Sequence, residues 1–459
     1  MQWRARSRPA ALGALVDVGV GVLAFVVASA LSLTLKARHG IPSFVVPLAL
    51  AVGALALLDT RRRGRAWPWR PGRGLLGWSF LLGVAALAAY LLAQLASVIV
   101  ATDRGGALHH VGGWARETVI VGAVLVAVDG PRRLRAAAWG LTAALALLSI
   151  PSLVQAATGT WTNDMLGLAV PNHGFVDGEL RWRAGGPLGD ANHYAQWLVI
   201  LLPVALERAT AQERTVLRIG AAATAACAIA AVLVSQSRGG LLALVVVGAV
   251  LLWRARSPRV VAAVALAVVA GVLVAGPGRV GRQISRFDEV TAVVTRDVEK
   301  SYSSEAGRVS TFWAGAHMWR DHPVLGVGFA NYEDEYLPYA EDLAIDSSGK
   351  VRSAHTAVIE VAAETGLVGL VAFAALVVAA AAISVRAVRA LREAGDRGSA
   401  RLVGSLQLAG GAWAVTSLFL NLAHPQAPLF ILGLLLASGR VAAVPPRGRQ
   451  VGPVRADSA

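Results

Sequence analysis

SAHTAVIEVAAETGLVGLVAFAALVVAAAAIS (353–384) runs from a histidine into a long apolar stretch. His355-Thr356 closes a hydrophilic segment, 277–354, and nine residues later Gly366-Leu367-Val368-Gly369 opens a run, 366–383, apolar enough to enter a bilayer. The segment before it is rich in Arg, Asp and aromatic residues. A histidine at the mouth of a membrane span, behind such a segment, places polar chemistry where lipid meets water. Anchoring alone has no use for that arrangement, so the stretch points to a membrane enzyme with an extracytoplasmic site.

The rest of the chain supports this reading. Of 459 residues, 56% are hydrophobic, and the mean hydropathy is +0.58, well above a soluble domain. A span needs roughly 20 mostly apolar residues, and about twelve windows qualify. They lie at 15–35, 41–58, 75–98, 118–128, 136–156, 191–206, 217–234, 240–253, 260–275, 366–383, 403–422 and 429–444. The fold expected is all-α and polytopic. Residues 1–276 hold nine spans with short loops, 277–357 form one large, mostly helical external loop, 358–444 hold three more spans, and 445–459 form a tail.

The formal charge of +15 does not indicate a nucleic-acid partner, because the arginines are scattered through short segments between spans. They cluster before the first span and at 61–73, 132–135, 208–214, 254–259 and 386–401. By the positive-inside rule these segments, both termini and the tail are cytoplasmic, which leaves 277–357 outside. The basic start followed by an apolar run reads as an uncleaved first span. Cys227 is the one cysteine, so the external loop must be ordered by packing and not by a disulfide within the chain.

Two external segments are long enough to build a site. The first, 158–190, carries Trp161, His173, Arg181, Trp182 and Arg183 and leads through Asp190-Ala191-Asn192-His193 into a span. In the second, Val309, Phe312, Trp313, Ala316 and Trp319 recur at three- and four-residue spacing. That pattern predicts an amphipathic helix, lying on the membrane or packed on the spans, that stops before Pro323. Gly326 and Gly328 permit a tight turn back toward the bilayer. Residues 331–346 are acidic and tyrosine-bearing and carry no assignment.

Several residues are candidates for chemistry. Ser353 is placed to cap a helix, which would put His355 in its first turn near the positive dipole end and favour neutral imidazole. The plain alternative is a histidine that only hydrogen-bonds at the interface. Arg238 sits between two spans with almost no loop, where an arginine is costly unless paired, solvated or snorkelling to the headgroups. Arg308 opens the amphipathic helix, and a guanidinium fork suits phosphate. Glu360 and Glu364 form a polar stripe beyond Thr356, either orienting a substrate or simply solvated. Gly366-x-x-Gly369 reads as close packing between small helix faces. His322 with Asp321, and His109-His110, are weaker candidates. The sequence shows no metal-ligand spacing and no phosphate-binding loop of the Gly-x-x-x-x-Gly-Lys type, and no cofactor is expected.

Taken in order, Asp190-Ala191-Asn192-His193-Tyr194-Ala195, Ser235-Gln236-Ser237-Arg238-Gly239, Gly307-Arg308 with Trp313, Asp321-His322-Pro323-Val324-Leu325-Gly326-Val327-Gly328 and His355-Thr356 with Gly366-x-x-Gly369 resemble the O-antigen ligase and polymerase family of bacterial membrane glycosyltransferases. The resemblance covers 186–369. The usual family form has Asn, Ser or Gln after the histidine, where this chain has Thr356. What the resemblance implies is metal-independent, inverting transfer of a glycan from an undecaprenyl diphosphate carrier to an acceptor hydroxyl outside the bacterial cytoplasmic membrane. His355 would be catalytic, and Arg238, Arg308 and Asn192 would bind substrate. The acceptor stays open among a glycolipid, another lipid-linked glycan and a protein side chain. A transporter or flippase of lipid-linked glycans is the rival from another class. It predicts charges through the spans and matching halves, whereas the long insertion occurs once.

Overall fold

Every apolar window of the sequence except 260–275 falls on a helix in the computed structural model, which describes residues 8–64, 67–69, 74–176, 179–254, 306–343, 349–421 and 426–443 and scattered positions between 261 and 273. Most of the 260–275 window, the first part of the long loop, 277–305, and the tail, 445–459, lie outside the described residues. In chain order the helices are α1 (Arg8–Ala28), α2 (Leu31–His39), α3 (Val45–Arg62), α4 (Gly74–Ser97), α5 (Arg104–Ala127), α6 (Pro131–Thr158), α7 (Ala191–Thr210), α8 (Thr215–Ser235), α9 (Arg238–Arg254), α10 (Ala306–Asp321), α11 (Tyr332–Asp342), α12 (Ala357–Glu393), α13 (Arg397–Thr416) and α14 (Gln426–Ala443). Among the described residues six helical stretches are long and apolar enough to cross a membrane: Ala11–Ala28, Gly74–Val100, Pro131–Thr158, Thr215–Ser235, Ala357–Glu393 and Gln426–Ala443. The chain is a multi-pass, predominantly helical membrane protein.

The helix boundaries have local causes. Asp103 caps α5 by accepting from the Gly106 amide at 3.0 Å, and Asp396 does the same for α13 with Ser399 at 3.0 Å. Pro131 opens α6, and Gly159 ends it in left-handed backbone. Three expectations need correction. The first window is two helices, because Ser29-Ala30 breaks it and Ala30 turns left-handed at φ 55°. The fourth, 118–128, falls on a longer helix, Arg104–Ala127, that takes in residues the sequence reading left between spans. The all-α expectation also missed a β-hairpin, β1 (Pro171–Val176) with β2 (Glu179–Ala184), paired antiparallel with Asn172 opposite Arg183.

Helix α7 is the hub of the bundle. Tyr194, Trp197, Leu198, Leu201 and Val204 are fully buried on all its faces, as expected of a helix apolar all round and enclosed by protein. It packs against α6, α8, α9 and α13. Charges gather at the far end of the bundle, not in its middle. Arg133 is buried against Asp59, Asp129 at 2.9 Å and Asp17 at 3.4 Å. Buried Arg208 pairs with Glu207 and Glu213. The basic segments that the sequence placed between spans are thus partly ion-paired helix ends.

At the opposite end, α10 and α11 fold onto the first turns of α12 through Ala314, Met318, Tyr332, Tyr336 and Ala363. Helix α10 stops at Asp321, before Pro323 as expected. Its buried side carries Ser310, Thr311, Ala314 and Met318, while Val309, Phe312 and Trp313 face outward. The apolar stripe is therefore the unpacked face, the orientation of a helix that lies along a lipid surface.

The Gly-Val-Gly turn explains the glycine pair in α12. At Gly366 the helix is broken, with φ 61° and ψ −158°, a region essentially open to glycine alone. The amides of Leu367 and Val368 leave their helical partners and donate to Pro323 O at 2.8 Å and Val324 O at 3.3 Å. The freed carbonyls of Ala363 and Glu364 accept from Val327 N at 2.8 Å and Gly328 N at 3.1 Å. Two helical bonds are replaced by four to the loop 323–328, so no buried backbone group is orphaned. A Cβ on Gly366 would sit 2.3 Å from the Val324 carbonyl, and one on Gly326 would sit 2.3 Å from Ala363 O. Gly369 faces Thr365 of its own helix. The small-helix-face reading of this pair is thus replaced by a break locked to a loop.

Candidate active site

The site end of the bundle gathers four helix starts and the hairpin. Asp190 caps α7, and its carboxylate accepts from the amides of Asn192 and His193, each at 2.8 Å. It also lies 3.2 Å from His193 Nδ1. Burial pushes the Asp190 carboxyl up, but the hydrogen bonds from the His193 ring and from both amides outweigh it and hold the group below the usual carboxylate range. The other imidazole nitrogen, Nε2, is 2.9 Å from Asn421 Oδ1, which ties the start of α7 to the segment beyond α13.

Asn192 joins this corner to the start of α9. Its Oδ1 accepts from Ser237 Oγ at 2.9 Å and from Arg183 at 3.2 Å. Arg183, carried in by β2, also donates through Nε to Ser235 O at 2.9 Å and caps the end of α8. Between α8 and α9 the link is only Gln236 and Ser237, with Gln236 left-handed at φ 53°. Ser237 Oγ accepts from Gly240 N at 3.2 Å, and Arg238, half-buried, is the first residue of α9. The near-absence of a loop at Arg238 is as the sequence reading expected.

His355 lies two residues before the first residue of the helix it introduces. Thr356, not Ser353, occupies the N-cap position of α12, so the helix starts three residues later than expected and His355 precedes its cap instead of sitting in its first turn. The segment is held down by Ala357 N donating to Ser417 O at 3.0 Å and by the Thr356 hydroxyl donating to Leu418 O at 3.4 Å. Burial, then the positive charges of Arg308 and Arg352, push the His355 imidazole down to about 4, with Asp190 opposing. His355, Arg308, Arg352, His193 and Asp190 therefore share one electrostatic neighbourhood. A half-buried, neutral imidazole ringed by guanidinium groups can accept a proton beside a bound anion.

Residues 223–374 match the sequence model of the family described as O-antigen ligase. Over this region the chain is similar to the O-antigen ligase family. No curated protein matches it. The O-antigen ligase region takes in Arg238, Arg308 and His355, while Arg183, Asn192 and His193 precede it and reach the site through the hairpin and the start of α7. Of the four residues singled out from the sequence, Asn192 and Arg238 meet through Ser237, and Arg308 and His355 meet through their charges. Arg352 and Asn421 escaped the sequence reading. Arg352 stands only three residues before His355, which was its available signal. Asn421 had none, since it is 228 residues from its partner His193.

Beside His355 a cavity of about 390 Å³ opens between α4, α5, α11 and α12. Glu360 and Glu364 line it. Glu364 is 6% exposed and accepts from Tyr332 N at 3.4 Å, so the solvated-stripe alternative fails for this residue. His110 also lines the cavity. His322 and Asp321 lie away from the site, with Asp321 paired to Arg320 at 2.9 Å on an exposed surface. Among the described residues no group of His, Cys, Asp and Glu forms a metal cluster.

Proposed function

We propose that this protein, similar to the O-antigen ligase family over residues 223–374, transfers a glycan from an undecaprenyl diphosphate carrier to an acceptor hydroxyl at the outer face of the bacterial cytoplasmic membrane. It would do so within a twelve-span topology with both termini inside. The observation that carries the reading is the neutral His355 set among Arg308, Arg352 and His193 at the helix starts. The acceptor oxygen forms a bond to the anomeric carbon as the bond from that carbon to the diphosphate oxygen breaks. The electron pair leaves with the lipid diphosphate, the hydroxyl proton passes to His355, and the anomeric configuration inverts. Arg238 and Arg308 neutralise the departing charge, and guanidinium groups do this without a metal. The same anion raises the His355 pKa toward the value a working base needs, because it offsets the two arginines that depress it. Asn192 fixes Ser237 and hence the start of α9.

The test is to incubate purified wild-type and Arg238→Ala protein with an undecaprenyl diphosphate-linked glycan, mixed acceptors and chelator, following free carrier and product mass. Turnover in wild type that falls about 10²-fold in the variant, the scale of one lost oxyanion donor, supports the proposal. Carrier release by neither protein, with donor and acceptors shown competent, overturns it.

A pH profile tests the base. His355 works only when neutral, so the rate is expected to fall as pH drops through its own pKa, and the free-enzyme limb lies well below that of an ordinary histidine. Arg352→Gln removes one depressing charge and must raise that pKa. The acid limb of kcat/KM should then move to higher pH, and an unmoved limb would assign it to another group.

A further inference from the structure

The cavity beside His355 differs chemically from the arginine cluster on the helix starts. Its lining carries four acidic side chains, Glu117, Glu333, Glu360 and Glu364, together with Arg116 and His110. Tyr90 and Trp114 supply aromatic walls, set edge to face with centroids 5.2 Å apart. Its volume, about 390 Å³, falls within the usual range of small-molecule sites, roughly 300–1,000 Å³. Two contacts connect it to the reaction centre. Ser353 and Ala354, the residues immediately before His355, form part of its wall, and so does Asn421, the partner of His193.

We propose that this cavity is the acceptor subsite and that it takes the uncharged, hydroxyl-rich end of a glycan. The inference rests on the transfer reading above and deepens it. A diphosphate or a phosphorylated sugar would meet the acidic side chains of Glu333 and Glu360 there and be disfavoured. Sugar hydroxyls are donors that carboxylates accept strongly, while ring C–H faces pack on Trp114 and Tyr90. Ser353 and Ala354 in its wall directly precede His355, the residue that would take the proton of a hydroxyl held there. Guanidinium groups hold the leaving group and carboxyl groups hold the nucleophile, so each place favours its own substrate. The acceptor is thereby narrowed from glycolipid, glycan or protein to a neutral glycan end.

The experiment measures binding and transfer separately. Detergent-solubilised full-length protein is titrated, without donor, with neutral trisaccharides (mannotriose, galactotriose and chitotriose) and with the phosphorylated form of the best binder. The same is done for Glu360→Gln and for the exposed Glu333→Gln, which is present should the first fail to fold. Wild type should bind a neutral trisaccharide and reject its phosphorylated form. Each variant should weaken neutral binding about fivefold, the difference between a charged and a neutral acceptor, and should begin to admit the phosphorylated sugar. In transfer assays the acceptor KM should rise while the donor KM holds. Failure of wild type to bind any neutral trisaccharide, or unchanged binding in both variants, overturns the assignment. If carrier is never released but the binding differences appear, the glycan cavity stands and the transfer reading alone falls.

Discussion

His355→Ala is expected to lower glycan transfer by about 10²- to 10⁴-fold, the range for loss of a positioned general base, with membrane insertion and melting temperature unchanged. The separation of activity from stability follows from the geometry. Thr356 stands at the N-cap position of helix α12, whose start is held by the Ala357 amide donating to Ser417 O and the Thr356 hydroxyl donating to Leu418 O, neither of which uses the imidazole. Truncation at Cβ therefore removes the proposed proton acceptor without loosening the helix. The cations remain, so carrier binding should survive while kcat collapses. Full activity in the alanine variant would remove His355 from the catalytic role and turn attention to His193, the other imidazole in the neighbourhood.

Gly366→Ala should produce the opposite pattern, with both fold and activity lost. The backbone at φ 61° and ψ −158° costs a side-chain-bearing residue roughly 1–3 kcal/mol. The added Cβ would also meet Val324 C and O at 2.3 Å and Leu325 N at 2.6 Å, backbone atoms that move only if the loop moves. Displacing the loop breaks four backbone hydrogen bonds, each worth about 0.5–1.5 kcal/mol net and more where a carbonyl is left buried. Against a typical stability of roughly 5–15 kcal/mol the variant should melt at a much lower temperature in detergent or fail to accumulate. Gly404→Ala in α13, where the Cβ meets open space, is the matched control and should be neutral or slightly stabilising. Equal melting of Gly366→Ala and wild type would refute the account of the break.

Windows of apolar residues located the helices because burial in lipid and burial in protein select the same side chains. The same principle hid the break at Ser29-Ala30, since Leu31, Leu33 and Leu35 continue the apolar run beyond it. The amphipathic spacing in α10 was legible, but not which way it faces. Its packed side includes two hydroxyl residues, Ser310 and Thr311, that hydropathy scores as polar. His355, Arg238, Arg308 and Asn192 were readable because each interrupts an apolar context and needs a reason to be there. The hairpin was not, because β2, Glu-Leu-Arg-Trp-Arg-Ala, is short and polar, and its value lies in delivering Arg183 across 52 residues to Ser235. Gly366 was visible as a motif and misread, since a small residue suits both a close helix contact and an otherwise forbidden backbone angle. Only the loop lying across it distinguishes the two.

The break at Gly366 also makes α12 a jointed rod. Residues 367–393 answer to the bilayer, where thickness and lateral pressure set the tilt of any long helix. Residues 357–365 answer to α10 and α11 and carry His355 at their head. Because the hydrogen-bond ladder is cut between the two parts and each cut end is clamped to the loop 323–328, bending of the lower arm is absorbed at the joint. The histidine is thereby insulated from lipid-driven motion of the helix that bears it, an enzyme's version of a vibration mount.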